Sequence, residues 1–354
     1  MQINRQAWLN LLTTLSHHLG KDDLLPGMDT FSFQGDKACS FCNDRACVLP
    51  LSKLGELTGA VKGAELVSLL QKMTEETVDL ETVGNQWVIK SGKTTAKLNL
   101  LEDHLAKYLA DIGLTDAQWS AIPDELLPAI KNARLLSATH PLRGPKCAGT
   151  KIYSTDSSRI TCITLQHETP EFYLDDLSVD ALAQMTGITQ YWVTPAWFCV
   201  KNAEDEVLCL HSKDMASYPQ DKVQAALDAA ETEHANAPKV KLPAALTAQV
   251  LARVKVLAET LPGNLQRIQV GLSEAGMTLF GNSVAGSVEH LVEWDANSKP
   301  QSWPGEVKVW LDPTFLEAHL GSQMEISISS NEPRTVRFAS GNFTQVVGTV
   351  TGGK

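Results

Sequence analysis

At 354 residues, with 43% hydrophobic and 20% charged residues, the chain is long enough for two or three domains of ordinary size, each burying its own core. No apolar run approaches the roughly 20 residues needed to cross a bilayer, which argues against a helical membrane protein. A formal net charge of −11 argues against a surface coated in nucleic-acid-binding patches, while leaving room for a local basic face.

The N-terminus, Met1-Gln2-Ile3-Asn4-Arg5, passes directly into an amphipathic helix with none of the parts of a secretory leader, so a cytoplasmic protein is expected. That helix spans 4–19. Strands and a polar corner at Asn43-Asp44-Arg45 follow, then a second helix over 63–73 and strands over 78–83 and 87–100, the last with a turn at Ser91-Gly92. The same order recurs: a helix over 124–137, a corner at Thr155-Asp156-Ser157-Ser158-Arg159, a helix over 179–186, and strands over 190–200 and 206–211. A third copy has a helix over 244–261, a corner near Gly281-Asn282-Ser283, a helix over 313–320 and strands over 324–329, 335–339 and 343–350. Its second helix is announced by Asp312 as N-cap and Pro313 at the first helical position.

One unit of helix, strands, corner and second helix thus repeats about every 115 residues, which predicts three similar domains of an α+β fold. Two helical stretches, 102–122 and 220–237, interrupt the repeat and are closed by Pro123 and Pro238. They read as connectors, giving domains over 1–101, 124–219 and 239–354 with connectors over 102–123 and 220–238. Strong helix formers in Val223-Gln224-Ala225-Ala226-Leu227 make the second connector a firm helix.

Catalytic signatures are missing. There is no nucleophile elbow, His-Glu-x-x-His pair, Walker A loop or dinucleotide fingerprint, and His140 and His167 read as surface or turn residues. Seven cysteines, an odd number scattered over strand-like segments, suit reduced thiols. Cys39, Cys42 and Cys47 lack a fourth ligand and a second knuckle, and strand alternation would point Cys39 and Cys42 apart, so neither metal nor cofactor is expected.

The repeat with its closing strands resembles the bacterial-type DNA polymerase sliding clamp, the β subunit of the replicative polymerase. The likeness rests on Tyr153-Ser154-Thr155-Asp156-Ser157-Ser158-Arg159-Ile160, which is similar to the family's Thr-Asp-Gly-His-Arg-Leu segment, on the helix entry Trp310-Leu311-Asp312-Pro313-Thr314-Phe315-Leu316, and on the ending Phe343-Thr344-Gln345-Val346-Val347-Gly348. It implies a DNA clamp fold of three domains per chain, and two chains joined head to tail in a ring, helices lining the hole and sheets forming the wall. It also implies a homodimeric, nucleoid-associated processivity factor without enzymatic activity, partnered by duplex DNA, replicative polymerase and a clamp loader. The runner-up readings are a clamp-fold protein that binds proteins without encircling DNA and, behind it, a thiol- or metal-dependent enzyme.

A hole that holds DNA loosely needs spaced cations and no base readout. On the helices assigned to the lining these are Arg5, Lys62, Lys72, Lys131, Arg134, Arg253 and Lys255, with His17 and His18 beside the first helix. The helix over 179–186 has no basic residue, and that over 313–320 has only His319. Acidic runs at Glu75-Glu76, Asp175-Asp176 and Glu204-Asp205-Glu206 would then face outward. The family's hydrophobic groove for partner peptides carries over onto Cys147, Thr155, Arg159, Ile160, Pro219, Val223, Val346, Gly348 and Val350. Gly348 stands where the family has a large side chain, and Ser157-Ser158 replace its Gly-His.

Overall fold

A computed structural model describes residues 1–20, 25–52, 54–134, 142, 144–156, 158–261, 265–295 and 305–349. In chain order the first repeat contains β1 (Gln2–Asn4), α1 (Arg5–Ser16), β2 (Thr30–Gly35), β3 (Lys37–Cys42), β4 (Arg45–Pro50), β5 (Leu57–Lys62), α2 (Gly63–Lys72), β6 (Thr77–Val83), β7 (Gln86–Ser91) and β8 (Thr94–Asn99), followed by the connector helix α3 (Leu105–Ile112). The second contains β9 (Ser120–Ala121), α4 (Leu126–Arg134), β10 (Lys146–Thr155), β11 (Arg159–Tyr173), α5 (Asp176–Gln184), β12 (Ile188–Val193), β13 (Trp197–Asn202) and β14 (Val207–His211), with α6 (Gln220–His234) after it. The third contains β15 (Val240–Lys241), α7 (Ala248–Lys255), β16 (Glu259–Leu261), β17 (Leu265–Ser273), β18 (Gly276–Ser283), β19 (Gly286–Glu293), β20 (Val307–Leu311), α8 (Pro313–Glu317), β21 (Glu325–Ile328), β22 (Thr335–Ser340) and β23 (Phe343–Gly348).

These elements form two compact units, one of Met1–Asp124 with Glu171–Lys213 and the other of Glu125–Pro170 with Asp214–Lys354. The first unit holds a sheet ordered β1-β6-β7-β8 and an eight-stranded sheet ordered β5-β2-β3-β4-β14-β13-β12-β9. In the second, one sheet runs β10-β11-β23-β22-β21-β15, and another runs β16-β17-β18-β19 with β20 on β17.

Helix starts follow from their caps. Asn4 accepts from the Ala7 amide at 2.8 Å, Asp175 from Ser178 at 2.6 Å, Thr247 from Val250 at 3.3 Å and Asp312 from Thr314 at 2.8 Å. Each helix then buries one face. Trp8, Leu12 and Leu15 of α1 and Leu66 and Leu70 of α2 enter the first unit's core beside Phe31, Phe33, Trp87 and Ile89, where Trp87 lies 6.0 Å from Trp8 and 5.0 Å from Phe33. In the second unit Leu251 and Val254 of α7 and Leu316 of α8 pack with Ile268, Leu279, Phe338 and Val347. Each such aliphatic side chain contributes about 1.5–3 kcal/mol by leaving water, more than the about 1 kcal/mol of a typical cap.

The repeat has a local physical marker. In β3 the Ser40 hydroxyl donates to the Leu15 carbonyl at the end of α1, 2.8 Å away; in β10 Ser154 donates to the Ala133 carbonyl near the end of α4, 2.9 Å away. The corresponding residue of β18 is Gly281, where a Cβ would lie 2.5 Å from the Val254 carbonyl near the end of α7. All three residues stand five positions before the first residue of the next strand, Arg45, Arg159 or Gly286. A small residue there lets the sheet approach the open carbonyls of the helix end.

A second marker is how repeats join. The last strand of the second repeat pairs antiparallel with the first repeat's β4, Leu210 opposite Arg45 and Leu208 opposite Cys47. The last strand of the third pairs with β11 in the same register, Val347 opposite Arg159 and Gln345 opposite Thr161. Strands β8 and β19, the corresponding elements at the two ends of the series, are edge strands among the described residues.

Several boundaries differ from the sequence pattern. The stretch over 244–261 holds only α7, which starts after its Thr247 cap and gives way to β16. The third corner falls at Val284-Ala285, between paired Ser283 and Gly286, and not at Gly281-Asn282-Ser283, because Gly281 is needed inside the strand against α7. Over 102–122 there is α3, ended by Gly113 in the left-handed region at φ 82°, then one 3-10 turn and β9, so the segment is not one helix. The N-terminus does not enter its helix directly, because Gln2–Asn4 first pairs with β6. The helix placed at 179–186 begins three residues earlier behind its Asp175 cap, which gives that carboxylate a structural task. The expected end of α4, residues 135–137, lies outside the described residues.

Gly281→Val forces a branched side chain onto the Val254 carbonyl, so a loss of about 1–3 kcal/mol is expected in urea unfolding. An unchanged midpoint would show that α7 and β18 can separate freely at this point.

Candidate functional site

In the second unit, β11, β23 and α6 border a cavity of about 590 Å³ lined by Leu142, Thr155, Ser158, Arg159, Ile160, Pro219, Lys222, Val223, Ala226, Ala229, Ala230, Glu233, Thr335, Val346 and Gly348. Seven residues expected from sequence to form a groove therefore come together: Thr155, Arg159, Ile160, Pro219, Val223, Val346 and Gly348. Cys147 does not join them; it is fully buried, and its Sγ lies 2.8 Å from the Thr169 hydroxyl. Val350 and Ser157 lie outside the described residues.

The corner before β11 is tied down by its own carboxylate. Asp156 accepts from the Ser158 and Arg159 amides at 3.0 and 2.8 Å, and holds the Arg159 guanidinium through two contacts of 2.7 and 2.6 Å. The guanidinium also lies 4.5 Å from the centre of the Phe315 ring. Arg159 is 8% exposed and its charge is matched, so it shapes the wall and contributes little free charge to the cavity. Thr155 likewise turns its hydroxyl to the Arg159 carbonyl, 2.7 Å away.

Gly348 donates its amide to the Ser158 carbonyl at 2.8 Å, which zips β23 onto the corner. A Cβ there would meet only that oxygen, at 3.5 Å. No crowding excludes a side chain at this position, so the glycine widens the cavity. Beneath it, Gln345 donates to Thr161 at 3.3 Å and meets His319 Nε2 at 2.7 Å, a buried hydrogen-bonded chain that fixes β23 against β11 and α8.

On the long wall of the cavity, only Val223 of α6 was expected from the resemblance. Lys222, Ala226, Ala229 and Glu233 recur at helical spacing on α6 and form one face, a signal that was available in the pattern. The first unit has a contrasting connector. There Leu105, Tyr108, Leu109 and Ile112 of α3 pack against Phe41, Cys199 and Cys209, with Tyr108 stacked 5.0 Å from Phe41. Counted back from Arg45 and Arg159, Phe41 occupies the place of Thr155. Bulky residues fill that position in one repeat, and threonine with alanines leaves it open in the next.

Of the seven expected lining cations, Arg5, Lys62 and Lys255 are tied to defined partners. Arg5 donates to the Leu70 and Glu75 carbonyls at 3.2 and 2.9 Å, Lys62 pairs with Asp29 just before α2, and Lys255 pairs with Glu317 at 2.8 Å. Lys72 and Arg253 are exposed, and Lys131 and Arg134 are half-buried. Lys72, Lys131, Arg134, Arg253 and Lys255 all sit in the last turns of their helices, where positive charge offsets the exposed carbonyls. His17 and His18 line a separate cavity of the first unit, and burial pushes His18 down to about 4.

Cys39, Cys42 and Cys47 are buried, and burial pushes the Cys39 thiol up to about 12. Among the described residues no group of three or more His, Cys, Asp or Glu side chains is placed to hold a metal. Among the same residues no helix is long and apolar enough to cross a membrane.

No protein-family model and no curated protein matches this sequence. Solved structures do match in three dimensions. The DNA polymerase III beta chain of Streptococcus pneumoniae superposes with a TM-score of 0.75 at 15% identity, over 99% of each chain. The chain has the bacterial DNA clamp fold. The beta subunit of Pseudomonas aeruginosa gives 0.74 at 13% identity over 99% of each chain. The Helicobacter pylori beta clamp, solved bound to a DNA ligase peptide, gives 0.74 at 14% identity over 99% of this chain and 100% of its own. The α+β class expected from the repeat is the one found.

In this clamp fold His234 ends α6 beside Glu233, its Nδ1 2.8 Å from Ser327 and its Nε2 2.9 Å from Thr335. Burial, helped by Arg337 and Lys239, pushes it down from 6.5 to about 4. The unfolded chain takes up the proton first, so stability is full above pH 6.5 and is lost as pH falls toward about 4. His234→Gln keeps hydrogen-bonding groups without a titrating proton; between pH 7 and 5 it should lose about 2 kcal/mol less than the parent in urea unfolding. Equal losses would remove His234 from the acid response.

Proposed function

We propose that this chain is a sliding clamp: two copies, each of three domains over 1–101, 124–219 and 239–354, close head to tail around duplex DNA in the cytoplasm and tether the replicative polymerase, without catalysing a reaction. A clamp loader opens the ring, and partner peptides bind in the cavity beside α6.

The observation that carries this reading is the repeated join. The last strand of one repeat covers the edge of the preceding repeat in the same register twice, at β14 on β4 and at β23 on β11. Extending that rule places β8 of one copy on β19 of the other. Aligning Val347 with Leu98 by their hairpins, and Arg159 with Gly286 by their corners, sets Leu98 opposite Gly286 and Ala96 opposite Val288. Because the join is heterologous, it closes only if the accumulated rotation returns to its start.

An Ala96→Cys/Val288→Cys variant should form an intermolecular disulfide on mild oxidation, since directly opposed Cα atoms lie within bonding range. Protein loaded on nicked circular DNA and then oxidised should stay through 1 M salt and leave when the circle is linearised. Crosslinked protein that washes off intact circles in salt would favour the second reading, a clamp fold that binds proteins without encircling DNA, which the engaged state of Arg5, Lys62 and Lys255 also suits.

Peptide capture is tested separately. Ile160→Asp puts a charge in the apolar wall and should weaken binding of a polymerase-tail peptide at least tenfold by fluorescence anisotropy, with the ring intact. Binding equal to the parent would move the peptide site elsewhere.

A further inference from the structure

We propose that the groove beside α6 reads the charge polarity of its peptide, taking an apolar core flanked by an acidic residue at the Lys222 end and a basic residue at the Glu233 end. This rests on the groove reading above.

Lys222 and Glu233 both line the cavity, one in the first turn of α6 and the other in its last. Eleven residues of helix separate them by about 16 Å, the span of about five residues of extended chain. Between the two charges the floor is Val223, Ala226, Ala229 and Ala230, and the facing wall is Ile160 and Val346. A ligand filling that length must place something against each end, and a charge opposite to Lys222 or Glu233 is favoured there over a like charge.

Other charges near the groove are those of Arg337 and Lys239, which act on His234 beside Glu233, and those of Arg159 and of α6 itself. Arg159 is closed off by Asp156. Asp221, Asp228 and Glu231 point round the helix from the Lys222–Glu233 face by the helical angle. His234 next to Glu233 is neutral at pH 7 because burial holds it down to about 4, so it does not cancel the carboxylate. Among the described residues Glu233 has one weak partner, the Thr335 hydroxyl at 3.4 Å.

The test uses two end-blocked synthetic peptides, Asp-Leu-Phe-Leu-Lys and Lys-Leu-Phe-Leu-Asp, which are reversals of one another and so cover both chain directions. With the full-length protein at low salt, one should bind about three- to tenfold tighter than the other, and the difference should shrink in 0.5 M salt. In the Lys222→Glu/Glu233→Lys double variant the preference should invert. Equal binding of the two peptides, or a preference that survives the exchange, overturns the polarity reading while loss of both on Ile160→Asp leaves the groove in place. If Ile160→Asp binds both as the parent does, the groove reading falls too.

Discussion

Edge strands govern this molecule. A sheet edge exposes a row of unpaired amides and carbonyls, and each repeat has sheets that cannot cover all of their own. Inside the chain the debt is settled by the neighbouring repeat: β14 lies on β4 and β23 on β11, in equal register. That arrangement explains why the compact units do not follow the repeats, since the second repeat supplies strands to both. The same constraint bears on β8 and β19, and it is the physical ground for proposing that a second copy covers them.

Much of this was legible in the residues. Asp312-Pro313 announces α8, Ser91-Gly92 marks the turn between β7 and β8, and Asp156 ties the corner down by accepting from the Ser158 and Arg159 amides. What stayed hidden was set by tertiary pairing. A three-residue strand such as Gln2–Asn4 carries no periodicity of its own and exists because β6 offers it an edge. Gly281 reads as a corner residue by composition, yet its place is inside β18, where the approach of α7 forbids a side chain. A pattern of alternating residues records which face is buried; it does not record how closely the next layer stands.

The candidate site divides along the same line. The groove positions on the strands and at the corner come from the order that the resemblance implies, and seven of them line one cavity. Cys147 fell out because its strand turns it to Thr169. The alanine face of α6 was missed because alanine in a helix reads as propensity, whereas its effect here is space left unfilled. Comparison of the two connectors makes that visible: Tyr108 against Phe41 closes one repeat, and Ala226 near Thr155 leaves the other open. One exchange of bulk for alanine therefore separates the packed join from the open one.

The engagement of Arg5, Lys62 and Lys255 does not count against the proposed encirclement. A protein that grips DNA by counterion release must present many unpaired Lys and Arg residues, and its hold collapses as salt rises. A closed ring is retained by topology, so its inner charges only have to keep the duplex centred and wet. Five of the seven expected cations stand in last helical turns, where they also offset helix carbonyls. A residue that already stabilises its helix end can meet a passing phosphate without being committed to it, and contacts of that kind permit sliding where stronger ones would arrest it.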